Sequence, residues 1–235
     1  MIISFLQTKG GTGKTTLAKC LAFSRTFRES FDSIGLVELD PQGSIKSWHS
    51  QRDNGRRPHK VGFVSLLDSS PEVLKEKLEY LSGMYQVLLL DIPGESTGKL
   101  TTRLGASVSD LVLIPMRTST NDEQSFSDHI LPILEKVMAI DPDKGKTFHI
   151  VPTFVHPQAN PENVHAYFTE IMPDSIGCLN ACLPSRSVFE NFSREGATLS
   201  EYAASVKKNA RHTSQVNKAI DDIERIATEI LTLTP

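Results

Sequence analysis

Long apolar runs are missing from this sequence. No stretch of the 235 residues reaches the ~18 continuous apolar residues that a membrane span requires. Cysteine is scarce: Cys20, Cys178 and Cys182 are too few and too scattered for a disulfide framework and suit a reducing compartment. An excess of positive charge is also absent. Lys and Arg total 25 against 28 Asp and Glu, a formal net charge of −3, so affinity for nucleic acid or membrane has to come from a local patch. The seven histidines show no metal-ligand spacing such as HExxH. Met1-Ile2-Ile3-Ser4-Phe5-Leu6 runs straight into a glycine loop, without the basic segment and cleavage site of a secretory leader, and the expected address is the cytoplasm. No internal repeat, low-complexity tract or composition break divides the chain, so residues 1–235 are read as one domain.

What is present is alternation. Strand candidates at 2–7, 35–39, 61–65, 87–90, 111–116, 149–155 and 176–183 are separated by helical segments near 14–29, 44–54, 71–82, 98–108, 122–140, 161–172, 186–193, 198–210 and 213–231. Val87-Leu88-Leu89-Leu90 and Leu111-Val112-Leu113-Ile114 are apolar on both faces, as central parallel strands are. The expected fold is α/β, a single mostly parallel twisted sheet flanked by helices. In the last helix Val216, Ala219, Ile220, Ile223, Ala227, Ile230 and Leu231 make an apolar stripe that should lie on the domain. Cys178 and Cys182 fall on an apolar strand and are read as core residues.

Lys9-Gly10-Gly11-Thr12-Gly13-Lys14-Thr15-Thr16 follows a hydrophobic strand and opens a helix, the context of a phosphate-binding P-loop. Gly10, Gly11 and Gly13 let backbone N–H groups curl around phosphate oxygens, and the helix aims its positive end at the same anion. In such a loop Lys14 reaches the β- and γ-phosphates and the Thr15 hydroxyl takes a Mg²⁺ position. The usual first glycine of the pattern is Thr8 here, and an extra lysine, Lys9, follows it. Two more strands end in carboxylates: Glu38-Leu39-Asp40-Pro41-Gln42-Gly43-Ser44, and Val87 to Leu90 followed by Asp91-Ile92-Pro93-Gly94. Ligands of parallel sheets sit beyond the carboxyl ends of strands, so Asp40 and Asp91 are expected at the phosphate site, Asp91 towards the metal and the Gly94 amide towards the γ-phosphate.

Together these residues resemble the ParA/MinD family of P-loop ATPases, whose loop reads KGGxGKT, and the match extends through most of the chain. The resemblance implies a P-loop NTPase fold of the SIMIBI type, with ATP and Mg²⁺ as cofactors. It places Lys9 as the signature lysine that reaches across an ATP-sandwiched homodimer to the partner's phosphates. Asp40, in a segment similar to the family's DxDPQGS, becomes the carboxylate that orients the attacking water, with a place near the metal beside Thr15 and Asp91. Glu38 stands where that segment has its first aspartate. Trp48 follows at the spacing of small partition ATPases, which lack an N-terminal helix-turn-helix domain, and is expected to be packed. Leu183-Pro184-Ser185-Arg186 resembles the segment that closes over adenine and ribose, so Pro184 and Arg186 join Thr153 as base-side candidates.

Small partition ATPases bind DNA non-specifically when dimeric and work with a ParB-type centromere-binding adaptor, which implies a nucleoid-associated state when ATP is bound. Two stretches carry the local charge this requires. Residues 206–218 hold Lys207, Lys208, Arg211 and Lys218 with no acid; residues 46–60 hold Lys46, Arg52, Arg56, Arg57 and Lys60 against Asp53. A MinD-like membrane role calls for a basic amphipathic tail. Here Asp221, Asp222, Glu224 and Glu229 are expected on the polar face of the last helix and argue against a membrane partner. An iron–sulfur relative such as the nitrogenase iron protein needs cysteines that the 85–140 region lacks. Three functions stay open: DNA segregation, positioning of another cargo such as a conjugation complex or chemotaxis array, and a metabolic ligase on the same fold. Lys9 and Asp40-Pro41-Gln42 favour the first two.

Overall fold

The computed structural model describes residues 1–54, 61–67, 70–94, 99–140, 145–206 and 210–233. Its strands are β1 Ile2–Phe5, β2 Ile34–Glu38, β3 Gly62–Ser65, β4 Val87–Asp91, β5 Leu111–Met116, β6 Thr147–Val155, β7 Gly177–Cys178 and β8 Leu183–Pro184. The sheet runs β3-β2-β4-β1-β5-β6-β7 with β8 beside β6, and every pairing among the described residues is parallel. The pleat of β4 sends Val87 and Leu89 to one side and Leu88 and Leu90 to the other, and all four are buried.

The first face is covered by α1 Lys14–Ala22, α2 Arg25–Ser30, α3 Ser44–Asn54, α9 Ser187–Asn191, α10 Leu199–Ser205 and α11 Ala210–Leu233. The second is covered by α4 Pro71–Met84, α5 Lys99–Val108, α6 Thr120–Ser125, α7 Leu131–Ile140 and α8 Pro161–Ile171. The expected α/β class, with helices on both sides of a parallel sheet, is what the chain adopts.

Several elements differ from the sequence reading for identifiable reasons. The helix expected over 14–29 breaks at Ser24, whose side chain caps α2 by accepting from the Phe27 amide at 3.2 Å. The helix expected over 122–140 begins at Thr120 and carries a π-helical turn, Phe126–Ile130, between α6 and α7. The strand expected over 176–183 is two short strands, because Asn180 and Ala181 turn their amides to Glu229 of α11 at 2.8 and 2.7 Å. Cys178 and Cys182 are accordingly half-buried beside this turn rather than in one continuous strand.

Helix α11 buries Val216, Ala219, Ile223, Ala227 and Ile230 as its stripe requires, with Ile220 and Leu231 at the margin. The acids of its other face are not a free solvated row. Asp222 is buried and paired with Arg186, and Glu224 accepts from the Arg25 and Thr26 amides at 2.8 and 2.9 Å. These carboxylates fasten α11 to neighbouring segments. No described helix is long and apolar enough to cross a membrane.

Candidate nucleotide site

At the carboxyl ends of β1, β2 and β4 a cleft of about 240 Å³ is lined by the P-loop from Gly10 to Thr16, by Asp40, Pro41, Gln42 and Ser44, and by Pro93 and Gly94. The parallel register explains the convergence. Phe5 and Glu38 both pair with Asp91, so three strands release their loops at one level. Gly11 and Gly13 have φ of 70° and 99°, a left-handed backbone that favours glycine. Gly13 is the N-cap of α1 and offers no side-chain cap, which leaves the first helical N–H groups for an anion.

Lys14 is only 7% exposed. Burial lowers its pKa, and the nearby Asp91 and Asp40 carboxylates oppose that shift. Gly94 approaches so closely that a Cβ there would stand 2.9 Å from Lys14 Nζ and 3.3 Å from the Gln7 and Thr8 carbonyl oxygens. Thr15 Oγ1 donates to Asp91 Oδ2 at 2.7 Å, while Asp91 Oδ1 is buried with no partner. Burial pushes the Asp91 carboxyl up to about 6, against the hydrogen bond from Thr15 and the charge of Lys14.

A hydroxyl, a buried carboxylate with an unused oxygen and a second carboxylate on the cleft wall form an all-oxygen donor set. That set fits Mg²⁺, which is typically held by one or two carboxylates together with substrate phosphates. Thr15, Asp91 and Asp40 are the residues that would hold it.

Asp40 is fixed in a turn. Its Oδ1 accepts from the Gln42 amide at 3.0 Å and its carbonyl from the Gly43 amide at 3.0 Å, with Gly43 at φ 66°. Glu38, two residues earlier, lies behind the cleft wall rather than in it. Lys9 points away from its own phosphate cleft, pairing with the buried carboxylate of Asp122 and bordering a neighbouring groove with Thr8, Arg103 and His129.

On the other side of the P-loop, a Cβ on Gly13 would meet Leu183 Cδ2 at 3.4 Å and Thr153 Cγ2 and Phe154 Cε2 at 3.8 Å. Thr153 therefore borders the loop, and its buried Oγ1 has no partner. Pro184 lies on β8 beside β6. Arg186 is turned to Asp222, with Nε 2.5 Å from Oδ2, and does not line the phosphate cleft.

Two residues that sequence reading passed over stand here. Phe154 is 43% exposed and is the single non-glycine residue with positive φ among those described, at 54°. Arg117 places its guanidinium 4.3 Å from the centre of the Phe154 ring and donates to the Gly11 carbonyl. Neither belongs to a motif, and only the neighbouring ends of β5 and β6 bring them to the loop.

The two basic stretches fare differently. Arg211 and Lys218 are exposed on α11, whereas Lys207 and Lys208 lie outside the described residues. Of the 46–60 stretch, Lys46 is exposed and Arg56, Arg57 and Lys60 lie outside the described residues. Arg52 is no surface charge: it is buried, donates to the Gly196 carbonyl at 2.7 Å and pairs with Glu201 at 2.7 Å. Trp48 is packed as expected, its indole N–H donating to the Ala197 carbonyl at 3.0 Å.

No protein-family model matches the chain. Among curated proteins it is similar to the maintenance of carboxysome distribution protein A of Gloeobacter kilaueensis, with 26% identity over 229 residues, 97% of this chain and 93% of the relative. It is also similar to the protein ParA of Rhizobium radiobacter, with 24% identity over 84% of each chain. Among solved structures, a putative plasmid partition protein from Borrelia burgdorferi bound to AMPPNP superposes with a TM-score of 0.67 at 16% identity, covering 99% of this chain and 98% of the other. A cobyrinic acid a,c-diamide synthase from Mycobacterium smegmatis with bound ADP and magnesium gives 0.59 at 18% identity, covering 82% and 92%. The chain is thus similar in sequence to ParA and to carboxysome distribution proteins, and it shares the fold of solved partition proteins and of a MinC:MinD complex from Aquifex aeolicus.

Proposed function

We propose that the chain is a Mg²⁺-dependent ATPase that dimerises on ATP and uses the cycle of binding and hydrolysis to position a cargo. The observation that carries this reading is the single cleft in which Lys14, Thr15, Asp40 and Gly94 meet over the Asp91 carboxylate. Phosphoryl transfer to water needs little covalent help, and such a site supplies positioning and charge. Lys14 and the backbone N–H groups bind the phosphates, Asp40 orients the water, and Thr15 with Asp91 holds the metal, which neutralises phosphate charge when bound.

Lys9 faces away from its own cleft and supports a reading in which it serves a second copy's phosphates. With the Gly94 amide at the γ-phosphate, the phosphate chain would run towards Gly13 and the base would lie on the β6–β8 side. Thr153, Phe154 and Pro184 flank it there, and Arg186 contributes only through its hold on Asp222.

Non-specific DNA is the proposed track, contacted through Arg211 and Lys218 with Lys207 and Lys208, and a ParB-type adaptor is the proposed stimulator. The resulting location is cytoplasmic and nucleoid-associated in the ATP state. The similarity to a carboxysome distribution protein favours a second choice of cargo, a protein assembly in place of a plasmid or chromosome.

Lys14→Ala is expected to abolish ATP binding, while Lys9→Ala binds ATP but neither dimerises nor hydrolyses it normally. Normal ATP-dependent dimers and hydrolysis in Lys9→Ala would sink the shared-site reading. DNA retention measured without nucleotide, with ADP and with a non-hydrolysable ATP analogue tests the track, and binding independent of nucleotide would overturn it.

A further inference from the structure

Glu38 ends β2 directly beside Asp91 and is 0% exposed. Each carboxylate oxygen holds one amide: Oε1 accepts from the Ile45 amide at 2.6 Å and Oε2 from the Lys46 amide at 3.0 Å. These amides belong to the first turn of α3, whose N–H groups have no partner within the helix. A negative charge there is further favoured by the helix dipole. One side chain thus joins the end of a central strand to the start of a helix, and everything between its two attachments is the segment that carries Asp40.

The strand side of this staple is held as well. The Leu39 amide donates to the Asp91 carbonyl at 3.0 Å, and the Leu66 amide donates to the Glu38 carbonyl at 3.0 Å. The segment therefore has fixed ends, and the internal turn at Gln42 and Gly43 sets the direction of the Asp40 carboxylate. Glu38 itself does not line the cleft. Both oxygens are directed to the backbone amides of α3 rather than into the cleft.

We propose that Glu38 is a positioning residue for ATP hydrolysis: it clamps the first turn of α3 to β2 and so holds Asp40 at the distance the attacking water requires. The proposal rests on the reading of Asp40 as the water-orienting carboxylate. It divides the two acids of this segment by task, Asp40 facing the cleft and Glu38 building its wall. Aspartate, the residue at this position in the segment that Glu38-Leu39-Asp40 resembles, is one methylene shorter, about 1.5 Å less reach, and is expected to lose at least one of the two amides on this backbone.

The test is a set of variants assayed for kcat, KM, Mg²⁺ dependence and amide hydrogen exchange at Ile45 and Lys46. Glu38→Asp and Glu38→Ala are expected to lower kcat by roughly 10- to 100-fold, the scale of an ångström-sized misplacement. KM and the Mg²⁺ requirement should stay within about twofold, with protection lost at both amides in Glu38→Ala and at one or both in Glu38→Asp. Glu38→Gln, isosteric and able to accept through one oxygen, should lose protection at one amide and only a few-fold in kcat. In an Asp40→Ala background, Glu38→Asp should cost nothing further, because its effect passes through Asp40.

Wild-type kcat in Glu38→Asp, unchanged exchange at both amides in Glu38→Gln, or a raised Mg²⁺ requirement would each overturn the proposal, the last by making Glu38 a metal-side group. If Asp40→Ala alone hydrolyses ATP normally, the water-orienting reading fails, whereas the exchange data still report whether Glu38 holds α3.

Discussion

Thr15 Oγ1 donates to Asp91 Oδ2 at 2.7 Å, and the other oxygen of that buried carboxylate has no partner. Burial raises the Asp91 pKa from its ordinary value of 3.8 to about 6, so the folded, metal-free protein holds the proton more tightly than the unfolded chain. This contribution favours folding when the group is protonated and declines as pH rises from about 4 to about 6. In Asp91→Asn that decline should be absent from the metal-free stability profile, measured by urea unfolding. Mg²⁺ affinity in the wild type should rise over the same interval as the carboxylate deprotonates, which calorimetry reads directly.

Asp122 restrains Lys9 and is itself restrained. Burial works against its charge, but Lys9 and the Arg117 amide hold its carboxyl below the usual carboxylate range. Asp122→Asn keeps the shape and weakens the hold on Lys9. ATP-dependent dimers are expected at several-fold lower protein concentration, as followed by sedimentation velocity. An unchanged dimer constant would show that the pair does not limit association.

Gly94 is needed for its missing side chain. A methyl group there meets Lys14 Nζ at 2.9 Å and the Gln7 and Thr8 carbonyl oxygens, just before the P-loop, at 3.3 Å. Gly94→Ala should displace the lysine and lower ATP affinity or turnover by tenfold or more, on the order of 1.4 kcal/mol, with little change in the thermal midpoint.

Phe154 offers a half-exposed ring beside Gly13, braced by Arg117. Phe154→Ala should weaken ATP and ADP binding by roughly tenfold, within the range of base–aromatic stacking, while inorganic tripolyphosphate binds as before. Equal weakening of tripolyphosphate would assign the ring to loop support instead.

Arg52 is a stability residue. It lies over the Phe23 and Trp48 rings and joins α3 to the Gly196 carbonyl and to Glu201. Arg52→Ala should destabilise the fold by about 3 kcal/mol, the cost of breaking a buried charge pair, read as a shift in the urea midpoint. No loss of stability would mean the pair is replaced by solvent.

The central strands, the P-loop and Asp91 were legible because each rests on local pattern: apolar runs for the strands, glycines and GKT for the loop, an acid at a strand end. The 46–60 stretch shows where that method stops. Counting charges placed Arg52 on the surface, but its position depends on Gly196 and Glu201, which arrive from another part of the chain. The same holds for α11, whose apolar stripe was readable while the work of Asp222, Glu224 and Glu229 was not. A carboxylate on a helix reads as solvated until a distant amide or guanidinium is brought to it.

The amino-acid order alone therefore determined the central strands and the main helices, that their sheet is parallel, and that one loop is shaped for phosphate. Periodicity and backbone freedom act between residues near in sequence, and they survive without knowledge of the fold. Only the tertiary structure decided that Glu38 caps α3, that Lys9 turns to Asp122, that Phe154 stands beside Gly13 and that Arg117 reaches Gly11. Those relationships depend on the register of parallel strands, which sets side by side residues whose separation along the chain carries no signal.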